Sequence, residues 1–340
     1  MAGVTLVCPV CRQPEPDGSL PVVLLARRPG SDSCGRCGAV WPRVDGISCI
    51  SPDLDAFALS QALALDLAWP PRGTAEALRL CKEAGDDPEA ALPAQYALAH
   101  FPEAVTDAAL VDSLDLRGNG GLISRVRGWL AGALGRGAIP GHALEVGCGP
   151  GGLLETVGAP FVGGVVGFDV RLSMLRVARR LLGEGAVTLP FRAEGRRFVP
   201  IELRREPASV PITLVQGDLV APPLEAESFP LVCAMSLIDT VPDPVFAVGQ
   251  LDALTAPGGL LLLGAPWHWE PRVTHPGAWW STAQSTADDV LRAALRGEHP
   301  DLPHLRYELL DQATETWSIP GHARVTHRYR VELTLARKRA

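Results

Sequence analysis

A chain of 340 residues is long enough for one large and one small domain, and its 47% apolar and 20% charged residues are ordinary for a folded protein. The formal net charge of −7 argues against a broad basic face that grips nucleic acid. The first residues lack a basic segment followed by an apolar one, and apolar runs elsewhere are short or interrupted by charge. The sequence therefore predicts a cytoplasmic protein without membrane contact, with nucleic acid a disfavoured partner.

Two cysteine pairs distinguish residues 1–50 from the rest of the chain. Cys8 and Cys11 form the first pair, and Cys34 and Cys37 form the second. Each Cys-x-x-Cys spacing presents two sulfurs to one ion, and four thiolates bind Zn²⁺ tetrahedrally. Disulfides and a redox pair are the alternatives, but cytoplasmic thiols stay reduced. We expect a structural zinc ribbon in which the metal supplies folding free energy that so short a segment lacks.

The cysteine-rich segment also resembles a known family. Cys8–Cys11 and Cys34–Ser48 are similar to the zinc ribbon of the small activator protein that partners tRNA and protein methyltransferases. The similarity covers roughly residues 5–50, although a Tyr is more usual where Trp41 stands. In that family the ribbon is structural and docks a methyltransferase, so the resemblance implies docking within one chain.

Residues 51–140 are rich in Ala and Leu, with apolar residues at helical spacing. Leu122, Val126, Leu130 and Leu134 recur at the interval that predicts one face of an amphipathic helix. We interpret 51–140 as a helical linker or cap that precedes the main domain. For His100 the alternatives are a position in a site and packing in the core, and packing is the simpler interpretation.

Residues 141–340 alternate short apolar runs with helical stretches up to about residue 270. This alternation predicts an α/β fold with a Rossmann-like, doubly wound parallel sheet. The tail predicts one helix and then two strands, around Tyr307–Ala313 and Val325–Ala336. We expect these two strands to form an antiparallel pair.

A glycine-rich turn follows the first strand of that sheet. Gly147, Gly149 and Gly151 allow the backbone to approach a ligand closely, and free N–H groups follow at a helix start. Gly147, Gly149 and Gly152 also match the dinucleotide spacing, so a nicotinamide or flavin oxidoreductase is an alternative. Leu144–Gly151 is similar to the first motif of class I S-adenosylmethionine-dependent methyltransferases, which implies S-adenosylmethionine as the cofactor.

Carboxylates lie near the ends of three predicted strands. A carboxylate at Asp169 can accept hydrogen bonds from both ribose hydroxyls. The methyltransferase resemblance implies that Asp218 contacts the adenine amino group, with a helix N-cap as the alternative. Glu145 contacts the methionine end of the cofactor or orients the loop. The predicted cofactor-binding residues are Glu145, Gly147, Gly149, Gly151, Asp169, Val170, Asp218, Leu219 and Met235.

Asp239 lies just beyond the fourth predicted strand, within Phe229–Pro244. Ligands of parallel sheets bind at the carboxyl ends of the strands, so Asp239 is expected to face the methyl acceptor. Methyl transfer needs an oriented neutral nucleophile, and it needs a base only when that nucleophile must lose a proton. We predict Asp239 as the catalytic residue. The alternatives are an N-cap for the helix after Pro244 and a loop hydrogen bond.

Four tryptophans and two histidines follow the fifth predicted strand, within 265–280. Such a loop suits an aromatic lid over a small planar or cationic acceptor. A structural loop that packs on the N-terminal helices is the alternative. The sequence does not decide between them.

The second half of the chain has a finer resemblance. Ser236–Thr240, Pro266–Trp269 and Ala323–Arg330 are similar to the methyltransferase domain of ovothiol biosynthesis, which methylates an imidazole nitrogen of a histidine derivative. Here Thr240 follows Asp239 where that domain usually has Arg. The resemblance implies an N-methyltransferase with a small-molecule, histidine-like acceptor. An RNA or protein methyltransferase that uses the ribbon for docking and a non-catalytic cofactor-binding scaffold are the alternatives.

Overall fold

The computed structural model describes residues 4–12, 22–61, 65, 69–84, 88–135 and 137–339. The strands are β1 (Leu25–Arg28), β2 (Ser31–Cys34), β3 (Val40–Val44), β4 (Ile47–Cys49), β5 (Ala143–Val146), β6 (Val165–Asp169), β7 (Ala186–Glu194), β8 (Arg197–Arg204), β9 (Ile212–Gln216), β10 (Phe229–Met235), β11 (Thr255–Ala265), β12 (Tyr307–His322) and β13 (Val325–Lys338). The helices are α1 (Leu54–Ser60), α2 (Thr74–Ala84), α3 (Pro88–His100), α4 (Ala108–Ser113), α5 (Gly120–Leu134), α6 (Leu154–Gly158), α7 (Leu172–Glu184), α8 (Pro244–Leu254) and α9 (Ala287–Leu295).

One large sheet organises the molecule, with the strand order β1-β2-β3-β4-β9-β6-β5-β10-β11-β13-β12. The strands from β4 to β11 in that order run parallel, whereas β13 pairs antiparallel with both β11 and β12. The predicted α/β fold with a C-terminal antiparallel pair is confirmed. A dinucleotide-binding sheet of the order 3-2-1-4-5-6 has no such antiparallel insertion.

The central strands are apolar on both faces because helices cover both. All four residues of β5 and all five of β6 are buried. Ala143 and Val165 pack in the layer that contains α3, α5 and α7, whereas Leu144 and Val166 pack in the layer of α8 and α9. This burial is typical of a parallel strand, and it brings the carboxyl ends of β5, β6 and β10 together at one edge.

The cysteine-rich segment joins the same sheet. β4 pairs parallel with β9, and the backbone N–H of Ile50 donates to the carbonyl of Gln216 at 2.9 Å. The turn between β3 and β4 also contacts α7, where Asp45 accepts a hydrogen bond from Arg176 at 2.8 Å. The Arg176 side chain is only 2% exposed. The sheet is therefore continuous across residue 50, and the division of the chain into three parts at 50 and 140 stays a prediction.

β12 is longer than the sequence indicates. It continues from the predicted Tyr307–Ala313 to His322, although the added residues include Pro320 and Gly321. β13 pairs along this whole length, with an irregularity between Pro320 and His322. Gln95 of α3 donates its side-chain amide to the Gly321 carbonyl at 2.6 Å, so contacts from distant segments fix a strand that local propensity does not.

Helix α5 agrees with the predicted apolar face, since Leu122, Val126 and Leu130 are buried along it. Among the described residues, no helix combines the length and apolarity that crossing a bilayer requires.

Candidate active site

The glycine-rich turn leaves β5 through three left-handed residues. Gly147, Gly149 and Gly151 have φ of +70°, +53° and +92°, a region that other residues rarely adopt. Space is limited as well, since a Cβ at Gly147 would lie 3.2 Å from Cδ1 of Leu237, and one at Gly151 would lie 2.7 Å from Cδ1 of Leu154. Backbone geometry thus favours glycine at all three positions, and a side chain at Gly147 or Gly151 would also displace a neighbouring leucine.

Asp169 ties the end of β6 to the glycine loop. Its Oδ2 accepts from the backbone N–H of Gly149 at 2.8 Å, and its Oδ1 accepts from that of Arg171 at 2.8 Å. Burial raises the pKa of Asp169, while these two N–H groups oppose that shift because they favour the charged form. Asp169 therefore organises the loop in addition to its predicted role at the ribose.

Glu145 is a buried carboxyl group within β5, and its side chain is 2% exposed. Its Oε2 has no hydrogen-bond partner among the described residues. Burial first, and then the charge of Asp169, raise the pKa of Glu145 to about 8. A buried carboxylate without a partner is costly, so this position suits a cationic group of a bound ligand, such as the ammonium of a methionine moiety.

This geometry predicts proton release on ligand binding. At pH 7 the raised pKa keeps Glu145 mostly protonated, and a bound ammonium favours the ionised form. We expect S-adenosylhomocysteine to release a proton at pH 7 and to bind more tightly as the pH rises to 8. Calorimetry in buffers of different ionisation enthalpy measures the release. Glu145→Gln should abolish it, whereas Glu155→Gln, at the partly buried ion pair with Arg205, should not. A wild-type binding enthalpy that does not depend on the buffer would contradict the prediction.

The other predicted cofactor residues lie around this loop. Asp218 follows β9, and its Oδ1 accepts from Val220 N–H at 2.9 Å in a turn rather than at a helix start. Leu219 is buried beside it, and Val170 is 50% exposed after Asp169. Met235 ends β10 and packs so closely on Gly264 that a Cβ there would displace the Met235 sulfur. A contact between any of these side chains and a cofactor stays a prediction.

Asp239 lies in a short 3₁₀ turn after β10 and is fully buried. Its Oδ2 accepts from the backbone N–H of His268 at 2.7 Å, whereas its Oδ1 has no partner among the described residues. Burial raises the pKa of Asp239, and the His268 N–H lowers it. The next helix is capped by Asp243, which accepts from Phe246 N–H at 3.0 Å. The N-cap alternative for Asp239 is therefore wrong, while the loop hydrogen bond is present.

His268 lies between two strained residues. Trp267 and Trp269 have φ of +52° and +50°, in the left-handed region that bulky side chains avoid. Such strain is typical of functional sites, where the surrounding structure maintains it. The His268 ring meets the Tyr329 ring edge-on, with centroids 5.5 Å apart. Burial raises the pKa of Tyr329, and the charge of Asp239 raises it further. The loop thus brings Asp239, His268 and Tyr329 together.

The tryptophans of this loop pack on one another and on α9. The rings of Trp269 and Trp279 stack at 15° with centroids 6.2 Å apart, and Trp267 Nε1 donates to Asp288 Oδ1 at 2.9 Å. Trp269 and Trp280 are nearly buried. These contacts favour the structural role over the lid, with α9 rather than an N-terminal helix as the support.

Helix α3 contributes the rings of Tyr96 and His100. The sequence favours core packing for His100 and does not single out Tyr96. Nδ1 of His100 accepts from the Gly152 N–H of the glycine loop at 3.0 Å. Burial raises the pKa of Tyr96, the charges of Tyr329, Asp169 and Asp239 raise it further, and the Tyr96 ring lies beside the His100 ring with centroids 6.2 Å apart. Their four-residue spacing, which places Tyr96 and His100 on one helix face, is the signal that could have identified them.

The four predicted metal ligands also come together. Cys8 and Cys37 place their Sγ atoms 3.7 Å apart, and Cys11 and Cys34 place theirs 3.8 Å apart. All four sulfurs lie within 4.8 Å of one another. Tetrahedral zinc with Zn–S bonds of about 2.3 Å requires sulfurs about 3.8 Å apart. The residues present therefore fit a tetrahedral metal ion.

Comparison with known proteins concerns the domain that contains the glycine loop. Residues 144–263 match the protein family described as "Methyltransferase domain". The chain is 30% identical to a ubiquinone biosynthesis O-methyltransferase from Actinobacillus pleuropneumoniae over 118 residues, which are 35% of this chain and 42% of that enzyme. It thus spans less than half the length of this relative. The match supports the predicted methyltransferase domain over residues 144–263.

Several solved structures are similar to this chain at low identity. The N-methyltransferase NodS from Bradyrhizobium japonicum is 15% identical with a TM-score of 0.40, over 65% of this chain and 94% of that one. Phosphoethanolamine N-methyltransferase 2 from Haemonchus contortus, solved with S-adenosyl-L-methionine, is 13% identical with a TM-score of 0.37, over 64% and 53%. A chain from the Haloferax volcanii complex of the Trm112 activator with a methyltransferase is 16% identical with a TM-score of 0.38, over 65% and 93%. These values are too low to bear on substrate or partner.

Proposed function

We propose that this chain is an S-adenosylmethionine-dependent methyltransferase that methylates a ring nitrogen of a small, histidine-like molecule. The methyltransferase domain match and the glycine loop tied to Asp169 support the cofactor. When bound, S-adenosylmethionine supplies an electrophilic methyl group on a sulfonium. Glu145 and Asp169 would hold its ammonium and ribose, and the turn at Asp218 its adenine.

The observation that carries the choice of acceptor is Oδ1 of the buried Asp239, which has no hydrogen-bond partner in the part of the chain that the structure describes. A neutral imidazole has one N–H and one nitrogen with a lone pair. Asp239 can accept the N–H, which fixes the tautomer and directs the lone pair of the other nitrogen away from the carboxylate. Methylation there makes the ring cationic, and the N–H proton then leaves toward Asp239. The nearby rings of His268 and Tyr329 provide flat surfaces for a planar acceptor.

The test is methyl transfer from labelled S-adenosylmethionine to histidine derivatives, with the methylated atom assigned by NMR. A catechol is the control acceptor, because the relative from Actinobacillus is an O-methyltransferase. Labelling of RNA and protein fractions from a lysate is measured in parallel. Label confined to RNA or protein would overturn the proposed acceptor and favour the docking alternative. Cofactor binding with no transfer to any fraction would favour a scaffold.

We further propose that the cysteine cluster binds one structural Zn²⁺ and that the ribbon docks on its own catalytic domain. Ligation by Cys8, Cys11, Cys34 and Cys37 requires thiolates, which suits a reducing compartment such as the cytoplasm. The parallel pairing of β4 with β9 supports intramolecular docking. A separate activator protein is then not needed as a partner.

A further inference from the structure

We infer that His100 is a positioning residue of the cofactor site: its Nδ1 holds the glycine loop, and its Nε2–H binds the carboxylate of the methionine moiety. This inference rests on the proposed function, because it assumes S-adenosylmethionine as the ligand.

The placement of His100 is tightly constrained. It ends α3, and its ring meets Trp317 of β12 edge-on at 90°, with centroids 5.3 Å apart. A Cβ at Gly152 would lie 2.7 Å from His100 Nδ1 and 2.8 Å from His100 Cβ. The close approach of α3 to the loop therefore depends on glycine at 152, and the 3.0 Å hydrogen bond to Nδ1 joins the two segments.

This hydrogen bond determines the tautomer of His100. A ring nitrogen that accepts from a backbone N–H carries no proton, so the neutral ring has its hydrogen on Nε2. Burial lowers the pKa of His100 to about 4, which keeps the ring neutral at pH 7. Among the described residues, Nε2 has no hydrogen-bond acceptor. The ring is thus a fixed single donor.

The donor lies beside the second bend of the glycine loop. Cε1 and Nε2 of His100 are the atoms nearest to a Cβ position at Gly149, at 3.8 and 4.0 Å. In the proposed site Asp169 serves the ribose, the turn at Asp218 serves the adenine, and Glu145 serves the ammonium. The ribose and the adenine also contain hydrogen-bond acceptors, but the methionine carboxylate is the charged acceptor that these assignments leave without a partner. A hydrogen bond to a charged acceptor is stronger than one to a neutral acceptor, so we assign the carboxylate to the His100 Nε2–H.

Two variants test the roles of the two His100 nitrogens one at a time. His100→Asn keeps an acceptor near the Nδ1 position and lacks Nε2, whereas His100→Gln keeps an amide near Nε2 and lacks Nδ1. The probes are S-adenosylhomocysteine and its decarboxylated analogue, which retains the ammonium. We expect His100→Asn to weaken S-adenosylhomocysteine binding by about 10- to 100-fold, the range for a hydrogen bond to a charged group, and to leave binding of the analogue nearly unchanged. His100→Gln should weaken both ligands and retain more of the preference for the carboxylate.

An NMR measurement on the unmodified protein tests the same hydrogen bond without a substitution. In ¹⁵N-histidine-labelled protein, the Nε2 resonance of His100 should move on addition of S-adenosylhomocysteine and stay in place with the analogue. If His100→Asn weakens the binding of both ligands equally, or if the Nε2 resonance does not move, this inference is overturned and the proposed function still stands. Failure of the wild type to bind either ligand would overturn the proposed function and this inference with it.

Discussion

Replacement of Asp239 by asparagine is expected to lower kcat for an imidazole acceptor by about 10²- to 10⁴-fold, the range for loss of a positioned acid or base. The amide oxygen can still accept the N–H of His268, so the loop keeps its hydrogen bond. Its NH₂ group then occupies the place of Oδ1 and repels the acceptor N–H. The affinity for S-adenosylhomocysteine should hardly change, because the loss concerns the acceptor side.

Asp243→Asn is the matched control for this prediction. Asp243 lies four residues away on the surface, and asparagine caps the start of α8 equally well. The pH profile adds a second readout: the pKa of Asp239 is raised, so kcat/KM should begin to fall, as the pH is lowered, at a higher pH than an ordinary aspartate would give. Unaltered kcat in Asp239→Asn, measured with saturating cofactor, would remove Asp239 from the reaction.

The sequence predicts the parts of the site whose signals are local. Gly147, Gly149 and Gly151 share one turn, and Asp169 ends the next strand, so their meeting follows from the geometry of a parallel sheet. The cysteine pairs can also be predicted from the sequence, because each Cys-x-x-Cys spacing defines half of a tetrahedral site. Local patterns of this kind do not depend on the rest of the fold.

The remaining residues come from segments that are distant in the chain. His100 precedes the glycine loop by two helices, α4 and α5, and meets the loop only because α3 packs on the sheet. Tyr329 lies in β13, the last strand of the chain. The spacing of Tyr96 and His100 puts both rings on one helix face, but it does not say whether that face packs in the core or meets the glycine loop. Contacts at this sequence separation follow from tertiary packing, which the sequence pattern does not specify.

For the tryptophans the sequence leaves two roles open, a lid over the acceptor and a structural loop. Trp269 and Trp280 are nearly buried and pack as a small core, which favours the structural loop. Trp267 and Trp269 adopt strained backbone angles, and the packing of the tryptophan rings supports that strain. The functional residue of the segment is therefore expected to be His268, which the cluster holds against Asp239.

The cysteine-rich segment is joined to the residues after Asp218 by hydrogen bonds from the Arg12 side chain and from the backbone of Val7. After Cys11, Arg12 donates to the carbonyls of Pro222 and Leu224 at 3.1 and 3.3 Å, and Val7 N–H donates to Pro223 at 3.0 Å. These carbonyls belong to the segment that follows Asp218. The turn predicted to contact adenine is thus held between the cysteine loop and the end of β9.

Loss of the metal is therefore expected to affect both stability and cofactor affinity. Cys11→Ser should reduce the zinc content from one ion per chain to near zero, lower the Tm, and weaken S-adenosylhomocysteine binding, because Arg12 then leaves the segment after Asp218. Cys49→Ala is the control, since Cys49 lies in β4 outside the four ligands and should leave the zinc content unchanged. Elemental analysis, thermal unfolding and calorimetry measure the three effects. Freshly purified, reduced wild type without zinc would refute the metal assignment, and normal cofactor affinity in Cys11→Ser would show that the two sites are independent.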